Sequence, residues 1–133
     1  MGLGHVDRET GRVPPTVLVV DDDAGFRRVA RCLLTTRGLV VVADVASGEA
    51  ALAAVRRHRP DGVLLDLNLP DRDGLSVTRA LARRPDAPSV VLTSTDAAGY
   101  PDAALAACGA RAFVVKDRLA EADLLRLFSP ADT

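Results

Sequence analysis

Apolar residues along this chain fall into five short runs, at 16–20, 39–45, 62–65, 89–92 and 112–115. They are separated by longer stretches in which apolar positions recur every three or four residues. All of the runs except the second are nearly unbroken in apolar character. That is what parallel strands require when both faces of the sheet are covered. The intervening stretches predict helices over 24–37, after Ser47, and over 75–84, 101–108 and 119–128. In the first helix, Phe26, Val29, Ala30, Leu33 and Leu34 share one stripe, while Arg27, Arg28 and Arg31 point away from it. Asp23 and Ser47 are the expected N-caps. Gly38 closes the first helix, Pro60 closes the second unit and Gly109 follows the fourth helix. Regular alternation of five strands and five helices predicts right-handed crossovers and an α/β fold, a doubly wound five-stranded parallel sheet in a single domain. Residues 1–15 lack periodicity and end in Pro14-Pro15, so they read as a flexible leader. The domain is expected over 16–128, with a tail at 129–133.

Composition narrows the function classes. The 133 residues are 48% hydrophobic and 26% charged with a net charge of −1. That balance suits one soluble module and supplies no basic footprint for nucleic acid. No segment has the length and apolarity of a membrane span, and the first residues lack the apolar centre of a secretion signal, so a cytoplasmic location is expected. Val6 stands where N-myristoylation needs Ser or Thr. Cys32 and Cys108 lack the spacing of a metal site or disulfide framework, and both are expected to be buried free thiols. Of 17 basic residues, 16 are arginine, and Lys116 is the lone lysine.

Ligands of doubly wound sheets bind beyond the carboxyl ends of the strands. The residues there are Asp21, Asp22 and Asp23 after the first run, Asp66 after the third, Thr93 and Ser94 after the fourth, and Lys116 after the fifth. Carboxylates gathered at one edge repel one another unless some are protonated or a cation sits among them, and a hard oxygen-liganded ion, Mg²⁺, fits that role. Together with a hydroxyl and an ammonium they form a phosphoryl-binding set in which a free carboxylate attacks phosphorus to give an acyl phosphate. Asp23 reads as a helix cap. Asp66 does not, because Asn68, Leu69 and Pro70 intervene before a helix that starts only near Asp73 and Gly74. A lysine in a chain otherwise confined to arginine implies that a compact point charge is needed.

These residues resemble the response-regulator receiver family over roughly 16–128. The matching pieces are Val19-Val20-Asp21-Asp22, Leu64-Leu65-Asp66-Leu67-Asn68-Leu69-Pro70, Asp73-Gly74, the hydroxyl after strand four, and Gly109-Ala110-Arg111-Ala112-Phe113-Val114-Val115-Lys116. The resemblance implies a flavodoxin-like (βα)5 fold. It implies that Asp66 accepts phosphate from a histidine kinase or phosphotransfer protein. Asp21, Asp22, Asp66 and the backbone carbonyl of Asn68 would hold Mg²⁺, and Lys116 would contact the phosphoryl oxygens. Phe113 would be the aromatic switch. Ser94, 22 positions before Lys116, matches the family's ungapped spacing for the switch hydroxyl, whereas Thr93 needs a one-residue insertion. The face of helix four, strand five and helix five would change shape for a downstream protein and could support a homodimer. Lys116-Asp117 stands where the family usually has Lys-Pro, a variant similar to receivers of helix-turn-helix output regulators. Arg27, Arg28 and Arg31 would lie where a kinase docks, or form a solvated stripe.

Two other readings compete. Asp21-x-Asp23 resembles the nucleophile motif of haloacid-dehalogenase-type phosphatases, with Asp21 attacking and Asp23 as acid/base. Gly25 stands where that family expects Thr or Val, and Asp66 would have no role. A receiver-like module that signals without phosphorylation usually lacks an acidic residue or the lysine, and this chain keeps them all.

Overall fold

The apolar runs pair as five parallel strands in the order β2-β1-β3-β4-β5, within a computed structural model that describes residues 13–95 and 102–129. The strands are β1 (Thr16–Val20), β2 (Val40–Val45), β3 (Gly62–Asp66), β4 (Ser89–Ser94) and β5 (Ala112–Val115). Between them run α1 (Ala24–Thr36), α2 (Gly48–His58), α3 (Gly74–Ala82) and α4 (Asp102–Ala107). The expected helix start at Pro101, most of the leader (1–12) and the last tail residues (130–133) lie outside the described residues. Winding reverses between β1 and β3, which opens a crevice at their carboxyl ends.

Local chemistry starts α1, α2 and α3. The Asp23 carboxylate accepts the N–H groups of Gly25 and Phe26, Ser47 accepts that of Ala50, and Asp73 accepts that of Leu75. Such caps satisfy donors that have no partner inside the helix, each contributing about 1 kcal/mol. The central strands bury both faces, while β2, at an edge, is only half-buried along its length, which accounts for its less continuous apolar pattern. Leu18, Val20, Val63, Leu65 and Leu92 join α2, α3 and Cys108 in one core. Val17, Val19, Leu64 and Val91 join α1, Leu119, Leu124 and Phe128 in the other. Among the described residues, no helix is long and apolar enough to cross a membrane.

Three expectations need correction. Val29 is 61% exposed, because α1 lies on the sheet through Ala30 and Leu34 and its buried stripe is narrower than the 3/4 spacing implied. Cys32, on the same outer side, is exposed, and only Cys108 is buried. The last helix is not continuous: a 3-10 segment, Lys116–Glu121, is followed by an extended Ala122 and then α5, Leu124–Phe128. Leu119 and Leu124 are five residues apart and would diverge on one α-helix, so the break lets both reach the core. The Arg37 guanidinium holds the break by donating to the carbonyls of Ala120 and Ala122.

Two close approaches demand the absence of a side chain. A Cβ at Gly74 would meet the Asp66 carbonyl oxygen and the Leu67 Cα at 2.7 Å, so α3 can begin against the end of β3 only with glycine there. A Cβ at Gly62 would lie 2.3 Å from the Phe128 ring, which seals the α5 side of β3. Gly62→Ala is therefore expected to destabilise the fold by about 1–3 kcal/mol through overpacking. The readout is a lower urea midpoint at unchanged slope, and a wild-type midpoint would refute the dependence of Phe128 packing on this glycine.

Candidate functional site

The alternation of side chains along a strand decides which chemistry meets at the rim. Val19, Leu64, Val91 and Val114 all face the α1/α5 core. Continuing each strand by two residues puts Asp21, Asp66, Thr93 and Lys116 on that same side, at the carboxyl ends of four neighbouring strands. Asp66 and Thr93 are register partners across β3 and β4. Ser94 follows the parity of Leu92, which packs in the other core, and Phe113 also packs there. Phe113 borders a cleft of about 150 Å³ together with Leu92, Leu105 and Ala110.

Lys116 ties this rim together. Its Nζ lies 2.7 Å from Asp21 Oδ2 and 3.5 Å from Asp66 Oδ2, and 4.5 Å from the centre of the Phe26 ring. Asp21 is fully buried and Asp66 nearly so, whereas Asp22 is exposed. Asp21 Oδ1 accepts the Asp23 N–H at 2.9 Å, and Asp66 Oδ1 accepts the Asn68 N–H at 3.1 Å. Burial pushes the Asp66 carboxyl above the usual carboxylate range. The Asp21 charge adds to that push, and the Asn68 N–H and Lys116 oppose it. For Lys116, burial favours the neutral amine, but the hydrogen bond and charge of Asp21, joined by Asp66, outweigh it and hold the ammonium above its ordinary value.

Oxygen atoms from Asp21, Asp22 and Asp66 all lie within 4.8 Å of one another. Three hard donors, two of them buried beside a single ammonium, fit an oxygen-liganded divalent cation of the Mg²⁺ type. Asp23 is not in this group, because its carboxylate is committed to capping α1. The Thr93 hydroxyl is fully buried and, among the described residues, has no hydrogen-bond partner.

Several contributions to the rim were not legible in the sequence. Arg27 and Arg31 are not a free stripe. Both pair with Asp44 of β2, at 3.1 and 2.6 Å, and Arg27 also donates to the Asp21 carbonyl at 2.7 Å. The hydrogen bond from Arg31, followed by that from Arg27, holds the Asp44 carboxyl below its usual range against the effect of burial. Arg28 alone of the three has an exposed side chain without such a role in the rim. Phe26 packs against the α1 core as its place on the apolar stripe implies, and its ring in addition faces the lysine, which the sequence did not reveal. Asp71 had no assigned role. Its two oxygens accept the N–H groups of Gly48 and Glu49, fastening the segment after Asn68 to the start of α2, and those bonds lower its pKa.

The family model described as the response regulator receiver domain matches residues 17–128. The chain belongs to the response-regulator receiver family. This receiver is 26% identical to a LuxR-family two-component response regulator from Aurantimonas sp. SI85-9A1, with a TM-score of 0.76 over 86% of this chain and 85% of the other. Against the chemotaxis response regulator CheY4 of Vibrio cholerae the identity is 25% and the TM-score 0.75, covering 86% and 97%. A protein-glutamate methylesterase/protein-glutamine glutaminase from Anaeromyxobacter dehalogenans is 44% identical over 75% of this chain. The transcriptional regulatory protein PdtaR of Mycobacterium tuberculosis is 34% identical over 78%. The receiver spans 29% and 50% of the length of these two relatives. Its acidic triad is of the kind that receivers use for Mg²⁺.

A carboxyl whose folded pKa is raised binds its proton more tightly folded than unfolded, so its contribution to stability falls as pH rises from the unfolded value through the folded one. At neutral pH without divalent metal, the Asp66 charge thus opposes folding. Asp66→Asn is expected to raise Tm at pH 7 in EDTA by about 2–5 °C. The gain should shrink as pH drops below the raised carboxyl value, and a lower Tm at pH 7 would contradict the electrostatic account.

Proposed function

We propose that this receiver is a phosphoacceptor switch of a two-component phosphorelay, with Asp66 taking a phosphoryl group from a histidine kinase or phosphotransfer protein. The observation that carries the reading is the Lys116 ammonium held between Asp21 and Asp66 on a rim where three carboxylates converge. An Asp66 oxygen attacks phosphorus in line. The new bond is Asp66 O–P, the bond broken is P–N of the donor's phosphohistidine, and the imidazole leaves with a proton from solvent. Asp21, Asp22, Asp66 and the Asn68 carbonyl would hold Mg²⁺, which when bound offsets the negative charge of the phosphoryl oxygens. Lys116 is already within reach of Asp66 and exchanges part of its Asp21 contact for a phosphoryl oxygen.

For the switch hydroxyl we assign Thr93 in preference to Ser94. Thr93 is the register partner of Asp66, follows the same face, and carries a buried hydroxyl with nothing else to bond among the described residues. Counting back from Lys116 points to Ser94 only if no residue is inserted between β4 and β5. A phosphoryl group on Asp66 adds charge and acceptor oxygens that draw the Thr93 hydroxyl toward it. The cleft beside Phe113 gives that ring room to follow, which reshapes the α4-β5-α5 face for a downstream protein.

Acetyl phosphate with Mg²⁺ is expected to add one phosphate to the wild-type chain and none to Asp66→Asn, read by intact mass. Equal uptake by the variant would refute the acceptor assignment. Thr93→Ala is expected to accept phosphate yet lose the shift in Phe113 ring resonances that accompanies it, while Ser94→Ala retains that shift. The reverse pattern would return the role to Ser94.

A further inference from the structure

We infer that Phe26 is a positioning residue for Lys116, its ring holding the ammonium at the acidic rim alongside the contacts to Asp21 and Asp66. The inference rests on Lys116 being the phosphoryl-binding ammonium. Phe26 belongs to the first turns of α1, is half-buried at the edge of the α1 core, and presents its ring centre 4.5 Å from Lys116 Nζ. The lysine side chain is only 14% exposed, so water competes weakly for the ammonium and the ring's negative face attracts it more strongly than at an open surface. The other partners of the ammonium are the two carboxylates, and the nearer, Asp21, meets it through Oδ2 at 2.7 Å while its Oδ1 accepts the Asp23 N–H. Attraction to a ring face is weaker than a close ion pair and does not tie the ammonium to one oxygen. It therefore confines the ammonium to the rim while leaving it free to turn from Asp21 toward an arriving phosphoryl oxygen.

Lys116 is the only lysine among the 133 residues, so its ε-methylene signals can be followed by NMR in the whole chain without assignment ambiguity. The wild-type signals should lie upfield of their unfolded-state values through the ring current, remain so in Phe26→Tyr, and return downfield in Phe26→Leu. With acetyl phosphate and Mg²⁺, the phosphorylation rate of Phe26→Leu should fall about three- to tenfold. Phe26→Tyr should restore it, and Mg²⁺ affinity should stay within about twofold across the series. An unshifted ε-methylene in the wild type overturns the contact, and a Phe26→Leu rate equal to wild type overturns its role. If the ring-current pattern holds but the wild type takes no phosphate, the phosphoacceptor reading fails and the ring–ammonium contact stands.

Discussion

One ammonium makes this acidic rim compatible with a folded protein. Asp21 and Asp66 are withdrawn from water beside each other, and each loses hydration that a charged carboxylate does not give up freely. Lys116 lies within 3.5 Å of both and supplies the compensating charge from the end of β5. A guanidinium at the same place would spread its donors over a plane. A lysine concentrates charge at a single rotatable group that can be handed from one oxygen to another.

The rest of the fold holds that arrangement in place. The α1/α5 core fixes the direction in which β1, β3, β4 and β5 deliver their last side chains. Gly74 lets α3 begin hard against the carbonyl of Asp66, and Asp71 fastens the following loop to α2. On the other flank, Arg27 connects the Asp21 backbone to β2 through Asp44, and Arg37 pins the broken helix that begins at Lys116 back onto α1. Each contact is modest alone, since partly exposed ion pairs contribute about 0.2–1 kcal/mol. Their common effect is to limit the positions the charged groups can take, which preorganises a site more than it stabilises the chain.

The compensation is incomplete. Asp66 keeps a raised proton affinity despite the lysine, and the Thr93 hydroxyl is buried with no partner among the described residues. Under the proposed function, that unmet electrostatic and hydrogen-bonding demand is what a metal ion and a phosphoryl group would satisfy. The deficit lies at the edge between the two cores that pack on either face of the sheet.

The amino-acid order by itself determined the parallel sheet, the helix starts at Asp23 and Ser47, and the strand-end residues Asp21, Asp66 and Lys116, because periodicity, capping and strand termination are local properties of the chain. Tertiary structure alone decided the outward turn of Val29 and Cys32, since α1 rolled until Ala30 and Leu34 met the sheet. It also decided the break between Leu119 and Leu124, the pairing of Arg27 and Arg31 with Asp44, and the Phe26 ring beside the lysine. The same holds for the sides of the sheet that Thr93 and Ser94 take, because spacing to a distant lysine crosses a loop of variable length whereas pleat parity beside Asp66 does not. All of these depend on how elements distant in sequence are rotated and registered against one another, and no local pattern of residues encodes that angle.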